Sequence, residues 1–192
     1  MKKSRAPIFI LLIIIFFAVA IFSACVADTH PVNGKNGDFI ITNEVLTRYL
    51  GKDSIVAVPD YVKVIGQSAF YEVNTLEKII IPNSVTSIEY KAFYKCTQLA
   101  EATIPDSVTA IGEYAFAYTT ITGVSIPKSV TAIGNWAFTG SIYLETITVD
   151  DDNPIYRSEA NCLIERENKS IIQGCKTSEV PQSVERIGVG AF

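Results

Sequence analysis

The amino-acid sequence predicts a mainly β solenoid, a stack of coils with parallel strands on one face and short helical turns on the other. Three observations predict it. Pro59, Pro82, Pro105, Pro127 and Pro181 are separated by 23, 23, 22 and 54 residues, and Phe70, Phe93, Phe116, Phe138 and Phe192 by the same four intervals. Two columns keeping step define a unit of 22 or 23 residues, with about 31 inserted before the last copy. Between each Phe and the next Pro stands an L-x-x-L-x-L pattern: "LEKIII" (76–81), "LAEATI" (99–104), "ITGVSI" (121–126) and "LETITV" (144–149). Its last three positions alternate apolar and exposed, as a half-buried strand requires. Strands recurring one coil later in the same direction pair in parallel. The Pro that follows ends each strand, having no amide hydrogen for a ladder. One coil cannot bury its own apolar face, so each copy of the unit covers the last.

Residues 1–24 stand outside this pattern. Lys2, Lys3 and Arg5 precede the apolar run "PIFILLIIIFFAVAIFSAC", which reads as a secretory signal peptide. An uncleaved membrane anchor is the alternative, because the run is long enough to span a bilayer. Phe22, Ser23, Ala24 and Cys25 resemble the bacterial lipobox, with Phe where Leu, Val or Ile is usual. That resemblance implies lipidation at Cys25 and a membrane-anchored lipoprotein outside the cytoplasm. Residues 25–38 are polar and Gly/Asn-containing and read as a flexible tether, so the solenoid is assigned to 39–192. Loss of residues 1–24 leaves 13 basic and 20 acidic side chains, a net charge of −7 against −4 for the whole chain. With no basic run and a negative field, nucleic acid is excluded as a partner.

Within the unit, "IPDSVTAIGEYAF" (104–116) is representative. Val108 and Ile111 are expected to point into the coil, as are Val85 and Ile88, Val130 and Ile133, and Val184 and Ile187. Ser84, Ser107, Ser129 and Ser183, two residues after Pro, are placed to satisfy turn amides. Gly66, Gly112, Gly134 and Gly188 follow the Ile, where the backbone turns sharply or meets its neighbour closely. Glu89 in the same column argues against an obligatory positive φ. Ala-Phe closes the unit on a short helical turn, and Phe70, Phe93, Phe116 and Phe138 should stack as a buried spine.

The repeat "IPxSVTxIGxxAF" followed by "LxxIxI" resembles the bacterial BspA-like leucine-rich repeats of cell-surface proteins over residues 39–192. The resemblance implies a leucine-rich-repeat solenoid and adhesion to extracellular proteins or glycans. It also covers the margins. "DFIITNEVLTRYLGKDSIVAVP" is similar to the family's two-stranded opening segment, and residues 149–181 to its hairpin insertion, assigned here to about 150–179. The sequence stops at Phe192 without the strand pattern that should follow, as expected of a fragment or a truncated gene.

No constellation for catalysis emerges. The single His, His30, lies in the tether, without partners for a triad or general base. Asp150, Asp151, Asp152 and Asn153 are contiguous rather than alternating, and position twelve is Asn161 instead of a bidentate Glu. They read as an exposed acidic turn, not a calcium site. Cys96, three after Phe93, aligns with Val73 and Ser141 as a small core filler. Zinc is excluded by the lack of short-spaced Cys/His pairs. No cofactor motif is present, since the glycines are spread one per coil.

The expected function is a lipid-anchored binding module without enzymatic activity. The alternative is a structural spacer or part of a larger modular surface protein. The candidate binding face comprises two rows of strand residues: Lys78, Glu101, Gly123 and Thr146, then Ile80, Thr103, Ser125 and Thr148. Small residues there make a shallow surface suited to a macromolecule. Tyr71, Tyr94, Tyr118 and Tyr143 stand in the loops after Phe as contact anchors or as packing between coils. For Cys162 and Cys175, a two-residue turn at Asn168 and Lys169 would set the thiols opposite each other at disulfide distance. Two free thiols are the alternative.

Overall fold

The computed structural model describes residues 37–192; Cys25, His30 and the rest of 1–36 lie outside the described residues. Strands β1 (Phe39–Thr42) and β2 (Val45–Tyr49) pair antiparallel. Asn43 and Glu44 between them both have left-handed backbone (φ 50° and 63°), the conformation that joins twisted strands through a two-residue turn. Strands then alternate between two faces of the coil: β3 (Ile55–Ala57) and β4 (Val64–Ile65), β5 (Lys78–Ile80) and β6 (Ser87–Ile88), β7 (Glu101–Ala102) and β8 (Ala110–Ile111), β9 (Gly123–Ile126) and β10 (Ala132–Ile133), and β11 (Thr146–Val149).

The L-x-x-L-x-L strands pair in parallel, as their recurrence demands, but in two pieces: β3-β5-β7 and β9-β11. The interruption lies opposite the one unit with 22 residues. The missing residue falls between Phe116 and its strand, so Thr120 N–H reaches Leu99 O (3.1 Å) before the ladder is lost. A second parallel ladder, β2-β4-β6-β8-β10, runs through the S-V-T-x-I segments, with Ile65, Ile88, Ile111 and Ile133 in register. Sequence periodicity missed it because two-residue strands carry no alternation to detect.

The short helical turns expected around Ala-Phe are not formed; among the described residues there is no helix. Two left-handed residues per coil forbid one. Ser68, Lys91, Tyr114 and Trp136 (φ 55° to 57°) precede Ala-Phe, and Glu72, Lys95, Tyr118 and Gly140 (φ 56° to 70°) follow it. A right-handed helix cannot continue through such residues. Backbone donors alternate instead between local turns (Ala69 N to Gly66 O, 3.1 Å) and the next coil (Phe70 N to Ala92 O, 2.8 Å). The cross-coil bond recurs from Phe93 to Ala115 and from Phe116 to Ala137, at 2.8 and 2.7 Å.

Phe70, Phe93, Phe116 and Phe138 are fully buried and stack in sequence, centroids 5.0, 5.0 and 5.7 Å apart. Tyr49 and Phe39 extend the spine through β2 and β1. Val85, Ile88, Val108, Ile111 and Val130 are buried as expected, and Ile133 is half-buried. Val184 is only half-buried and Ile187 is exposed, because their coil is covered on one side alone. The column glycines have negative φ and serve close approach: a Cβ on Gly134 would lie 2.3 Å from Glu113 N, and one on Gly112 2.5 Å from Glu89 C. The serines act differently from expectation. Ser107 and Ser129 hydroxyls donate to Val85 O (2.6 Å) and Val108 O (2.7 Å) of the preceding coil, rather than accepting from turn amides.

The insertion forms β12 (Tyr156–Glu159), β13 (Cys162–Glu165) and β14 (Ser170–Gln173), to which β15 (Arg186–Ile187) adds in parallel. It is welded to the stack by two buried polar side chains. The Tyr156 hydroxyl accepts from Ile133 N (2.9 Å) at the end of the second ladder, and burial pushes its pKa up. Asn153, expected in an exposed acidic turn, is 2% exposed and fully hydrogen-bonded, whereas Asp150, Asp151 and Asp152 are exposed.

Candidate binding surface

The strand face presents the predicted rows, with changes. Lys78 and Glu101 stand directly opposite on β5 and β7 and form an ion pair (2.6 Å). Both side chains are solvated, so the pair contributes at most about 1 kcal/mol and largely cancels its own charge. Ile80 is exposed beside Ala57, and Ile55, across from Lys78, is more exposed still. Ile55 was not among the predicted residues, although "SIVAVP" carries the strand alternation. Gly123 pairs with Thr146 and Ser125 with Thr148. Thr103 lies just beyond β7, where the ladder breaks, so the two rows do not run unbroken across all coils. The break opens a shallow depression of about 290 Å³ lined by Thr103, Gly123, Ser125, Thr146 and Thr148, among others.

The turn face carries a second surface. Tyr71 stacks on Tyr94 (centroids 5.4 Å apart), and Tyr94 meets Tyr118 and Tyr114 edge-on at 5.4 and 6.1 Å. Tyr114 stacks on Trp136 at 5.3 Å and meets Tyr90 at 6.3 Å. Tyr71, Tyr90 and Tyr118 are exposed and the other three half-buried. The Lys91 ammonium sits over three of the rings, 4.9 Å from Tyr90 and Tyr94 and 5.6 Å from Tyr114. Its pKa is raised, chiefly by its interaction with the neighbouring Tyr90 phenol. Lys95 pairs with Glu72 at 3.3 Å. Tyr143, the fourth predicted loop tyrosine, is exposed.

Tyr90, Tyr114, Trp136 and Lys91 were missed. Their signal lay in the residues before Ala-Phe ("EYKAF", "GEYAF", "GNWAF"), which align only once the coil is closed. Three of these aromatics, Tyr114, Tyr118 and Trp136, sit at left-handed φ of 57° or 58°. The same two columns hold Gly140 and Gly190 elsewhere, so the fold accepts glycine there. Left-handed strain on a non-glycine residue costs on the order of 1–3 kcal/mol. A ring pair returns about 0.5–1.5 kcal/mol. The same columns also hold Ser68, Glu72, Lys91 and Lys95 at φ of 55° to 58°, so the left-handed turn belongs to the coil whatever side chain it carries.

Among the described residues no three His, Cys, Asp or Glu side chains cluster as a metal site. Cys96 is buried, its thiol donating to Phe70 O (2.9 Å), and burial pushes it up to about 12. Thr119 and Ser141 hold the same column and both donate to Phe116 O, at 2.9 and 3.1 Å. Cys162 and Cys175 are free thiols. Glu165 pairs with Ser170, so the hairpin turn holds four residues and not two. A register shift then sets Leu163 opposite Gln173, which brings Cys162 level with Gly174 and leaves Cys175 one residue off.

The chain's repeats match the BspA type Leucine rich repeat region, in six copies, over residues 50–163. A leucine-rich repeat protein from Eubacterium ventriosum superposes with a TM-score of 0.59 at 22% identity, covering 77% of this chain and 50% of that one. A leucine rich cell surface protein from Faecalibacterium prausnitzii gives 0.51 at 22% identity, over 85% of this chain and 74% of that one. A leucine-rich repeat protein from Bacteroides capillosus gives 0.51 at 30% identity, over 58% of this chain and 92% of that one. The chain spans half the length of the Eubacterium ventriosum protein. No curated protein is significantly similar to it in sequence. The match over residues 50–163, more than half of the sequence, and the stacked coils together establish that the chain belongs to the BspA-type leucine-rich-repeat family.

Proposed function

We propose that this chain is an extracytoplasmic binding module, anchored to a membrane by lipid at Cys25, whose strand face engages a protein or glycan without catalysis. The observation that carries the reading is the shallow depression at Thr103, Ser125, Thr146 and Thr148. Its exposed hydroxyls and lack of depth suit a macromolecular surface more than an enclosed small molecule. Family membership and the description of the Faecalibacterium prausnitzii protein as a cell surface protein support the location.

Replacing Thr103 and Ser125 together with Arg is expected to weaken attachment to immobilised extracellular proteins. Stability should shift by no more than about 0.5 kcal/mol per exposed site. Attachment that survives a charged row assigns the strand face to a spacer. Lipidation is read separately by metabolic labelling with a tagged fatty acid. Cys25→Ala should abolish the label, because only the thiol can carry a thioether-linked lipid. Absence of label from the unmutated protein makes residues 1–24 a plain anchor, and unchanged labelling of the variant places the lipid elsewhere than Cys25.

A further inference from the structure

We infer that the aromatic ribbon on the turn face is a second binding site, distinct from the strand face, and that it takes a linear polysaccharide of pyranose units. Successive coils each add at least one ring to the ribbon: Tyr71, then Tyr90 and Tyr94, then Tyr114 and Tyr118, then Trp136. Parallel ladders repeat every ~4.8 Å, and a pyranose ring with its glycosidic oxygen advances a chain by a similar length. A repeating ligand can therefore meet a repeating surface in register.

The chemistry matches as well. On the exposed rings, Tyr71, Tyr90 and Tyr118, the negative face attracts the polarised C–H bonds on the apolar face of a sugar, while phenolic hydroxyls at the rim bond sugar hydroxyls. Tyr94 and Tyr114, covered by Tyr71, Trp136 and Lys91, hold those rings in place. Lys91, held among the rings, supplies a donor and a positive charge on an otherwise acidic chain. At its first ring the ribbon opens onto a groove of about 690 Å³, where Tyr71 is joined by Thr47, Arg48, Gln67 and Ser68. These polar side chains could hold the end of a hydroxyl-rich chain. A protein partner would favour a central apolar pocket for an anchor residue, whereas Tyr71, Tyr90 and Tyr118 expose rings that each end in a hydroxyl.

Trp136 is the chain's only tryptophan, so its emission reports on the ribbon directly. The mature protein is titrated with three probes: cellohexaose, chitohexaose and a hyaluronan hexasaccharide. The expected result is a saturable change in Trp136 emission with at least one of them, and calorimetric heat to match. Preference for hyaluronan assigns Lys91 a carboxylate; preference for a neutral probe assigns recognition to the rings. Tyr94→Ala and Tyr118→Gly should each weaken binding about tenfold or more. Tyr118→Gly leaves the left-handed turn unstrained, as Gly140 does, so folding is retained and can be checked by circular dichroism. The strand-face variants at Thr103 and Ser125 should bind the sugar as before, which separates this site from the proposed strand-face function. No emission change and no heat with all three probes overturns the proposal. So does binding undiminished in Tyr94→Ala and Tyr118→Gly, since the rings would then be packing between coils only.

Discussion

Phe116→Ala is expected to destabilise the solenoid by about 3–5 kcal/mol, through lost burial and the cavity left behind. Phe116 is 1% exposed and lies between Phe93 and Phe138, at centroid distances of 5.0 and 5.7 Å. Its backbone N–H also bonds Ala137 O (2.7 Å), so the ring and the cross-coil bond hold the same junction. In a stack stabilised by nearest-neighbour contacts, a defect in the middle uncouples the coils on either side. Urea unfolding should show a lower midpoint and, if the two halves separate, a broader transition. Phe192 is the control. It is 65% exposed, and Phe192→Ala should cost well under half as much. A loss below about 1 kcal/mol for Phe116→Ala would refute the spine as the main source of stability.

Asn153→Ala should cost about 3 kcal/mol or more, because a single buried side chain satisfies four backbone groups. Its Nδ2 donates to Pro127 O (2.8 Å) and Val130 O (2.9 Å), and its Oδ1 accepts from Ile155 N (2.9 Å) and Tyr156 N (2.7 Å). Removing it strands three of them, while Pro127 O keeps its turn bond from Val130 N (3.2 Å). The hairpin insertion should then detach first, seen as faster amide exchange at Ile155 and Tyr156 than in the coils. Asn153→Asp adds a pH signature. Burial opposite two carbonyls disfavours the charged carboxylate and raises its folded pKa above the unfolded value of about 3.9. The folded state then binds the extra proton, so this variant loses stability as pH rises through that range and recovers it in acid. Stability of Asn153→Asp that is flat from pH 4 to 7 would count against a buried site.

Much of the architecture was legible because its physical cause is periodic. The Pro and Phe columns set the unit length, and the alternation before each Pro set the strand and its inward face. Both are local properties, since side-chain direction in a strand depends only on position along it. Other features depend on what lies in the neighbouring coil. Nothing local distinguishes Asn153 from the three exposed Asp residues before it; its burial follows from carbonyls at Pro127 and Val130, more than twenty residues away. The turn face is similar. Ala-Phe closing the unit suggests a helical turn, but the donors of Phe70, Phe93 and Phe116 find partners in the next coil, and two left-handed residues per coil replace the helix.

The candidate surfaces divide the same way. Row membership of Lys78, Ile80, Ser125, Thr146 and Thr148 follows from the strand pattern. The interruption beside Thr103 follows from a one-residue shortening whose consequence exists only between coils. The aromatic ribbon unites Tyr71, Tyr90, Tyr94, Tyr114, Tyr118 and Trp136 from four columns that look unrelated along the chain. Repetition alone therefore dictated that coils stack, which apolar residues fill them and that the L-x-x-L-x-L strands run parallel. Stacking then decided which polar groups are buried, where the ladder breaks and which rings touch, because those outcomes depend on distances between residues one coil apart.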